Sequence, residues 1–122
     1  MPGYLLRIRS RFEAAHHLTA YRGAAEPSHG HSWIVEVALA AAELDSEGMA
    51  YDFVAVKGAL DGLARRFDHR DINTVPPFDQ RSPTTEHLAA YFFDALRDAL
   101  PGAAVREVTV WEGPDCSATY VG

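Results

Sequence analysis

The segment Ser28-His29-Gly30-His31-Ser32-Trp33 sets two imidazoles two residues apart. In extended backbone such residues share one face, so His29 and His31 would stand side by side. Neutral imidazole is a good ligand for zinc, which usually takes a tetrahedral shell. Two ligands do not complete a site, and His16 is the candidate third. Leu6, Ile8, Phe12 and Ala14 alternate with Arg7, Arg9, Arg11 and Glu13. That is strand periodicity, and it puts His16 on the face of Leu6 and Ile8. A second strand follows, with Trp33, Val35, Val37 and Leu39 on one parity. Antiparallel pairing would bring the end of the first strand to the start of the second, where the three histidines converge. Three protein ligands leave one position open, as in catalytic zinc sites. Taken alone, most His-x-His pairs are ordinary surface or satisfied histidines; the third histidine on matching parity is what brings the metal reading level with that one.

The elements that must hold these residues follow in order. Residues 4–17 read as one long strand and 32–42 as a second, joined by a loop from Leu18 to Ser28. That is long for a hairpin connection, and long loops often carry function. Asp52 precedes Phe53, Val56, Leu60, Leu63, Ala64 and Phe67 at helical spacing, so Asp52 is expected to cap a helix that covers the sheet. Asp68-His69-Arg70-Asp71-Ile72-Asn73 is a polar run at the end of that helix. Ser82-Pro83-Thr84-Thr85-Glu86 is a start signal for a second helix with Leu88, Tyr91, Phe92, Ala95 and Leu96 as its apolar stripe. Pro101-Gly102 stops it. Val108 and Val110 alternate with Thr109 and Trp111 in a third strand ending at Glu112, and Cys116 to Val121 form a short fourth. The order strand, strand, helix, helix, strand, strand predicts an α+β domain, a four-stranded antiparallel sheet with both helices on one face. Such a sheet has two edges that nothing blunts strongly, so pairing between copies of the chain is expected.

At 122 residues the chain, 1–122, is expected to be one domain, and 48% hydrophobic residues suffice for a core. A formal net charge of −6 argues against binding a nucleic-acid backbone, while leaving room for a local basic pocket that takes a small phosphorylated ligand. The single cysteine, Cys116, rules out an internal disulfide and suits a reducing compartment; it is expected to be a small buried residue. No apolar run reaches the roughly 20 residues of a membrane span. Met1-Pro2-Gly3-Tyr4 leads straight into a strand without the shape of a signal peptide, so a cytoplasmic protein is expected.

Phe12-Glu13-Ala14-Ala15-His16, Ser28-His29-Gly30-His31, Asp68-His69, Pro83-Thr84-Thr85-Glu86 and Trp111-Glu112 occur in this order. Together they resemble the 6-pyruvoyltetrahydropterin synthase / 6-carboxytetrahydropterin synthase family over nearly the whole chain. The resemblance implies the tunnelling fold, in which subunits join edge to edge into a barrel. It also implies a homohexamer with sites between subunits and a zinc-dependent lyase that acts on 7,8-dihydroneopterin triphosphate by base-assisted side-chain cleavage or triphosphate elimination. Queuosine or folate biosynthesis would be its setting. By the same resemblance His16, His29 and His31 are the zinc ligands. Glu112 anchors the pterin ring, and Thr84, Thr85 and Glu86 line its pocket. Asp68 and His69 belong to a proton-transfer triad. Read without the family, Glu112 is a strand-end charge, Thr84 to Glu86 are helix-start residues, and Asp68-His69 is a solvated helix end.

One departure bears on the chemistry. The family usually has Cys-x-x-x-His-Gly-His, and this chain has Ala25 where the thiol would stand. Glu26, its neighbour, can accept a proton. A branch of the family carries a glutamate there and makes 6-hydroxymethyl-7,8-dihydropterin for folate synthesis. Two other classes suit the same residues: a non-catalytic pterin- or metal-binding protein that has lost its base with Ala25, and a tunnelling-fold enzyme acting on another purine-like or pterin substrate.

Overall fold

The computed structural model describes residues 3–122, so Met1 and Pro2, part of the expected N-terminal run, lie outside the described residues. The chain forms β1 (Tyr4–His16), β2 (His29–Ala41), α1 (Phe53–Ala64), β3 (Arg70–Asp71), α2 (Thr85–Ala99), β4 (Ala104–Trp111) and β5 (Ser117–Val121). A single 3-10 turn, Ile72–Thr74, follows β3. The α+β class and the two helices agree with expectation. The sheet differs: it has five strands in the order β3-β1-β2-β4-β5, and β3 runs parallel to β1, so the sheet is mixed rather than purely antiparallel. β3 is only two residues long and too polar for any alternation to show. It is held beside Ala14 and Ala15 by pairing, not by pattern.

β1 and β2 pair antiparallel through an unbroken register from Tyr4↔Ala41 to His16↔His29. β2 therefore begins at His29, three residues earlier than the apolar alternation suggests, because the polar ligand segment pairs with β1 as regularly as the apolar part. Ile8, Phe12, Ala14, Trp33, Val35, Val37, Leu39, Val108 and Val110 form the buried face, and the helices close over it. Phe12 and Trp33, cross-strand partners, stack with ring centroids 5.9 Å apart. The Trp33 indole N–H donates to the Ala14 carbonyl at 3.1 Å, so the largest core side chain also fixes the backbone beneath the histidines.

Asp52 caps α1 through its carboxylate, which accepts from the Val54 N–H at 2.9 Å. The helix ends at Ala64. Phe67 lies in the turn beyond it, yet is fully buried, whereas Phe53, counted in the apolar stripe by spacing, is exposed. On the inward face of β1, Ser10 donates to Asp61 Oδ1 at 2.6 Å, and Lys57 donates to the same oxygen at 2.8 Å and to the Arg9 carbonyl at 2.9 Å. These bonds staple α1 to β1. Thr84 caps α2, accepting from the His87 N–H at 3.0 Å. α2 packs against β4 and β5, burying Leu88, Phe92, Phe93 and Leu96. Among the described residues, no helix is long and apolar enough to cross a membrane.

Candidate metal centre

The β1–β2 register makes His16 and His29 direct partners and sets His31 opposite Ala14, so all three imidazoles fall at one end of the sheet on one face. Ring centroids are 4.7 Å apart for His16 and His29, 4.7 Å for His29 and His31, and 5.2 Å for His16 and His31. Trp33 is the platform below, edge-on to His16 and to His31. Glu112, just past β4, reaches into the same space. Its Oε1 lies 2.8 Å from His31 Nε2, 3.1 Å from His16 Nε2 and 3.9 Å from His29 Nε2. One ligand atom from each of the four residues falls within 4.8 Å of the others.

Local hydrogen bonds decide which nitrogens face inward. His16 Nδ1 is 2.9 Å from the Pro83 carbonyl, and His29 Nδ1 is 3.0 Å from the Pro27 carbonyl. A carbonyl only accepts, so Nδ1 is the donor in each ring and Nε2 is the nitrogen turned to the cluster, where His16 Nε2 is also hydrogen-bonded to Glu112 Oε1 at 3.1 Å. Burial holds the His31 imidazole below its ordinary pKa. The Glu112 carboxylate pulls the other way, and the His16 and His29 rings add to the lowering. His31 Nε2 is buried and, despite its short contact with Glu112, makes no hydrogen bond of acceptable geometry. One ligand atom from each of four side chains therefore converges in a partly buried space, and His31 Nε2 finds no hydrogen-bond partner there. A divalent cation answers that need, and a set of three imidazole nitrogens and a carboxylate oxygen fits zinc. The cluster is thus consistent with a metal site.

Around it lie the other expected residues. The loop from Leu18 to Ser28 folds back on itself. Tyr21 and Ala24 bridge across Arg22 and Gly23, both at positive φ, and Glu26 N–H donates to the Leu18 carbonyl at 3.1 Å. Glu26 Oε1 accepts from the Leu18 N–H at 2.9 Å and stands 3.8 Å from His29 Nε2. Glu26 is thus held at the cluster, while Ala25 has no group that could move a proton. Thr85 donates to Glu112 Oε2 at 3.0 Å. Thr84 is committed to capping α2, and Glu86 is exposed in the first turn without a bond to the cluster.

Asp68 and His69 form a pair of their own, His69 Nδ1 lying 3.1 Å from Asp68 Oδ2. Asp68 Oδ1 accepts from the Glu13 N–H at 2.8 Å, and that bond, followed by the one from His69, holds its carboxyl below the usual range. His69 sits at φ 58°, a left-handed conformation sparsely populated outside glycine, and its own N–H donates to the Glu13 carbonyl at 2.6 Å. The pair does not touch the cluster, but Asp68, His69 and His31 line one cavity of about 740 Å³ together with Glu13 and Ser32. Cys116, expected to be buried, is exposed, because it lies in the turn between β4 and β5; its carbonyl accepts from the Glu112 N–H at 2.9 Å. The membership of Glu112 in the cluster, the two proline carbonyls and the Trp33 platform were not legible from spacing, since all depend on contacts between distant segments.

Residues 5–122 match the family model described as 6-pyruvoyl tetrahydropterin synthase. The chain is 32% identical over 106 residues to a dihydroneopterin monophosphate aldolase of Pyrococcus furiosus, covering 86% of each chain. It is 36% identical over 115 residues to a 6-carboxy-5,6,7,8-tetrahydropterin synthase of Synechocystis sp., covering 89% of this chain and 86% of that one. Its fold superposes on the structure of Caenorhabditis elegans 6-pyruvoyl tetrahydropterin synthase with a TM-score of 0.85 at 24% identity, covering 100% of this chain and 97% of the other.

Proposed function

This chain belongs to the 6-pyruvoyl tetrahydropterin synthase family, and from that premise we propose that it is a zinc-dependent carbon–carbon lyase. Its substrate is 7,8-dihydroneopterin phosphorylated on the side chain, and its product is 6-hydroxymethyl-7,8-dihydropterin. The observation that carries this reading is the place of Glu26. The loop has an alanine where the family's thiol would stand, and its one carboxylate lies 3.8 Å from His29 Nε2, latched by the Leu18 N–H.

His16, His29 and His31 would hold the zinc, which when bound supplies Lewis acidity toward the side-chain hydroxyls. Glu26 accepts the proton of the C2′ hydroxyl. As that oxygen becomes a carbonyl, the C1′–C2′ bond breaks, and its electron pair enters the C=N of the ring conjugated with C1′. A proton delivered to C1′ completes the hydroxymethyl group, and His69, oriented by Asp68, is the donor. Glu112 accepts the two-donor edge of the pterin ring, with Thr85 holding its second oxygen; a carboxylate suits that edge because it offers two parallel acceptors. Thr84 and Glu86, at the start of α2, border the ring pocket.

A second reading is favoured by the Synechocystis relative: loss of the outer side-chain carbons with C1′ kept as a carboxyl on the ring, as the name 6-carboxy-5,6,7,8-tetrahydropterin synthase describes. Product analysis separates the two. Zinc-loaded protein is incubated with dihydroneopterin monophosphate and, separately, triphosphate. Formation of 6-hydroxymethyl-7,8-dihydropterin supports the lyase, whereas release of acetaldehyde supports the second reading. Glu26→Gln keeps an oxygen for the Leu18 N–H but removes the basicity. Turnover is expected to fall roughly 10²-fold or more with zinc content unchanged. Unchanged turnover would remove Glu26 from the role of base.

A further inference from the structure

Asn73 uses its whole side chain on one residue of β1's exit. Its Oδ1 accepts from the His17 N–H at 3.0 Å, and its Nδ2 donates to the His17 carbonyl at 3.0 Å. The same Nδ2 lies 3.4 Å from His17 Nε2. The first two bonds are the pair that two opposed strand residues exchange in an antiparallel ladder. The amide therefore continues the sheet by one position past the end of β3, where no backbone partner exists. Asn73 is itself fixed from behind: Asp71 Oδ1 accepts its N–H at 2.9 Å and caps the short 3-10 turn, whose Ile72 is fully buried.

The clamped residue is the one that follows His16, and its two bonds hold the peptide groups on either side of it. His16 is the most buried of the cluster's histidines at 1% exposure, against 38% for His29 and 27% for His31. Its ring is aimed by the Pro83 carbonyl, and its backbone is framed by pairing with His29 on one side. On the other side β3 ends at Asp71. The chain must then leave the sheet at His17 and enter the Leu18–Ser28 loop. Without the clamp, the last paired residue of β1 would be a ligand at a fraying end.

We propose that Asn73 is a positioning residue for the metal centre, holding the His16 backbone through His17 so that the buried imidazole keeps its place opposite His29 and His31. The assignment rests on the metal-site reading of the histidine cluster, and it gives a task to the polar run after α1 that the Asp68–His69 pair leaves unexplained.

The test is zinc affinity, read by competition with a chromogenic chelator, alongside the melting temperature of the metal-free protein. Asn73→Asp keeps the acceptor for the His17 N–H and replaces the amine by an oxygen that faces the His17 carbonyl. Zinc affinity is expected to fall roughly tenfold or more, the range of changes in groups that orient ligands. The visible bands of the cobalt-substituted variant should shift as the ligand geometry loosens. Tyr51→Phe is the control. It removes a hydroxyl that donates to the Ala40 carbonyl at 2.8 Å and accepts from the Ala104 N–H at 3.1 Å, far from the cluster. It should lower the melting temperature and leave zinc affinity alone. If Asn73→Asp does not fold, Asn73→Ala replaces it, and failure of both to fold would overturn the assignment in favour of a role in the fold at large. Equal zinc affinity and an unshifted cobalt spectrum in a folded variant would overturn it directly. A wild-type protein that binds no zinc would instead overturn the metal-site reading beneath it.

Discussion

Two proline carbonyls decide how the histidines of this protein face one another. Pro83 and Pro27 accept from Nδ1 of His16 and His29, and proline's fixed φ makes each a firm anchor. The spacing of His29 and His31 and the parity of His16 were readable in the sequence because strand geometry alone decides them. Glu112 was assigned to the ring only by resemblance, and its approach to His31 at 2.8 Å could not be read from residues so far apart in the chain. Two substitutions separate the roles. About one zinc per chain is expected, lost in His29→Ala and in His31→Ala when metal content is measured; zinc retained in both would exclude the cluster. Glu112→Gln should weaken pterin binding by about 1.5–3 kcal/mol, roughly 10- to 150-fold, while zinc affinity changes little. Should zinc affinity fall as far as it does in His31→Ala, the carboxylate is a fourth ligand and not the ring's anchor.

At the level of elements, the hairpin and both helices were legible from period-2 and helical spacing, and Asp52 and Thr84 behave as the caps their residue types suggest. β3 was not legible, since a two-residue strand has no periodicity to show. Nor was the staple between α1 and β1, because Ser10 breaks the apolar alternation of its face and finds a reason only when Asp61 lies over it. Lys57, then Ser10, bond the Asp61 carboxylate and hold its pKa below the usual value of about 3.9. A carboxylate depressed by folding stabilises the native state above its unfolded pKa, and that contribution disappears as pH falls through the folded one. Stability of the wild type should therefore drop between about pH 5 and pH 2 more steeply than that of Asp61→Asn. Urea midpoints at several pH values check it, and parallel curves would show that the staple is not coupled to the proton. Asp61 is partly exposed, so the difference is modest and shrinks in salt.

For the whole molecule, the sheet ends in two open edges. β3 covers β1 at Ala14 and Ala15, and Asp68 and His69 bond Glu13 beside it; among the described residues no strand pairs with Tyr4 to Phe12 on that side or with the outer edge of β5 from Ser117 to Val121. The face away from the helices is polar. Glu36 is 2.7 Å from Arg9 and 3.5 Å from Arg7, and Arg7 reaches Glu107 at 3.3 Å. Charges paired within the face leave the edges as the surfaces with unmet hydrogen bonds. We expect copies of the chain to join through them, a hexamer being the state the family resemblance implies. Light scattering at micromolar concentration should give a mass several times 13.4 kDa, and a monomer would show that both edges stay open in solution. The sequence showed the edges through the order of strands, but the mixed sheet and the extent of the unpaired β1 edge emerged only from the register.

The unbroken β1–β2 register limits where this chain can change length. Adding one residue inside either strand, between the centre and the far end of the hairpin, would leave the histidines paired and turn the apolar face of the remainder outward. Adding one between Trp33 and His29 would throw the ligands themselves to the other side of the sheet. Within the hairpin, the tip at Arg22 and Gly23, beyond the Leu18–Glu26 latch, can grow without moving a ligand atom. Insertions and deletions among relatives should therefore gather at that tip, and a tag or reporter grafted there should leave metal binding intact.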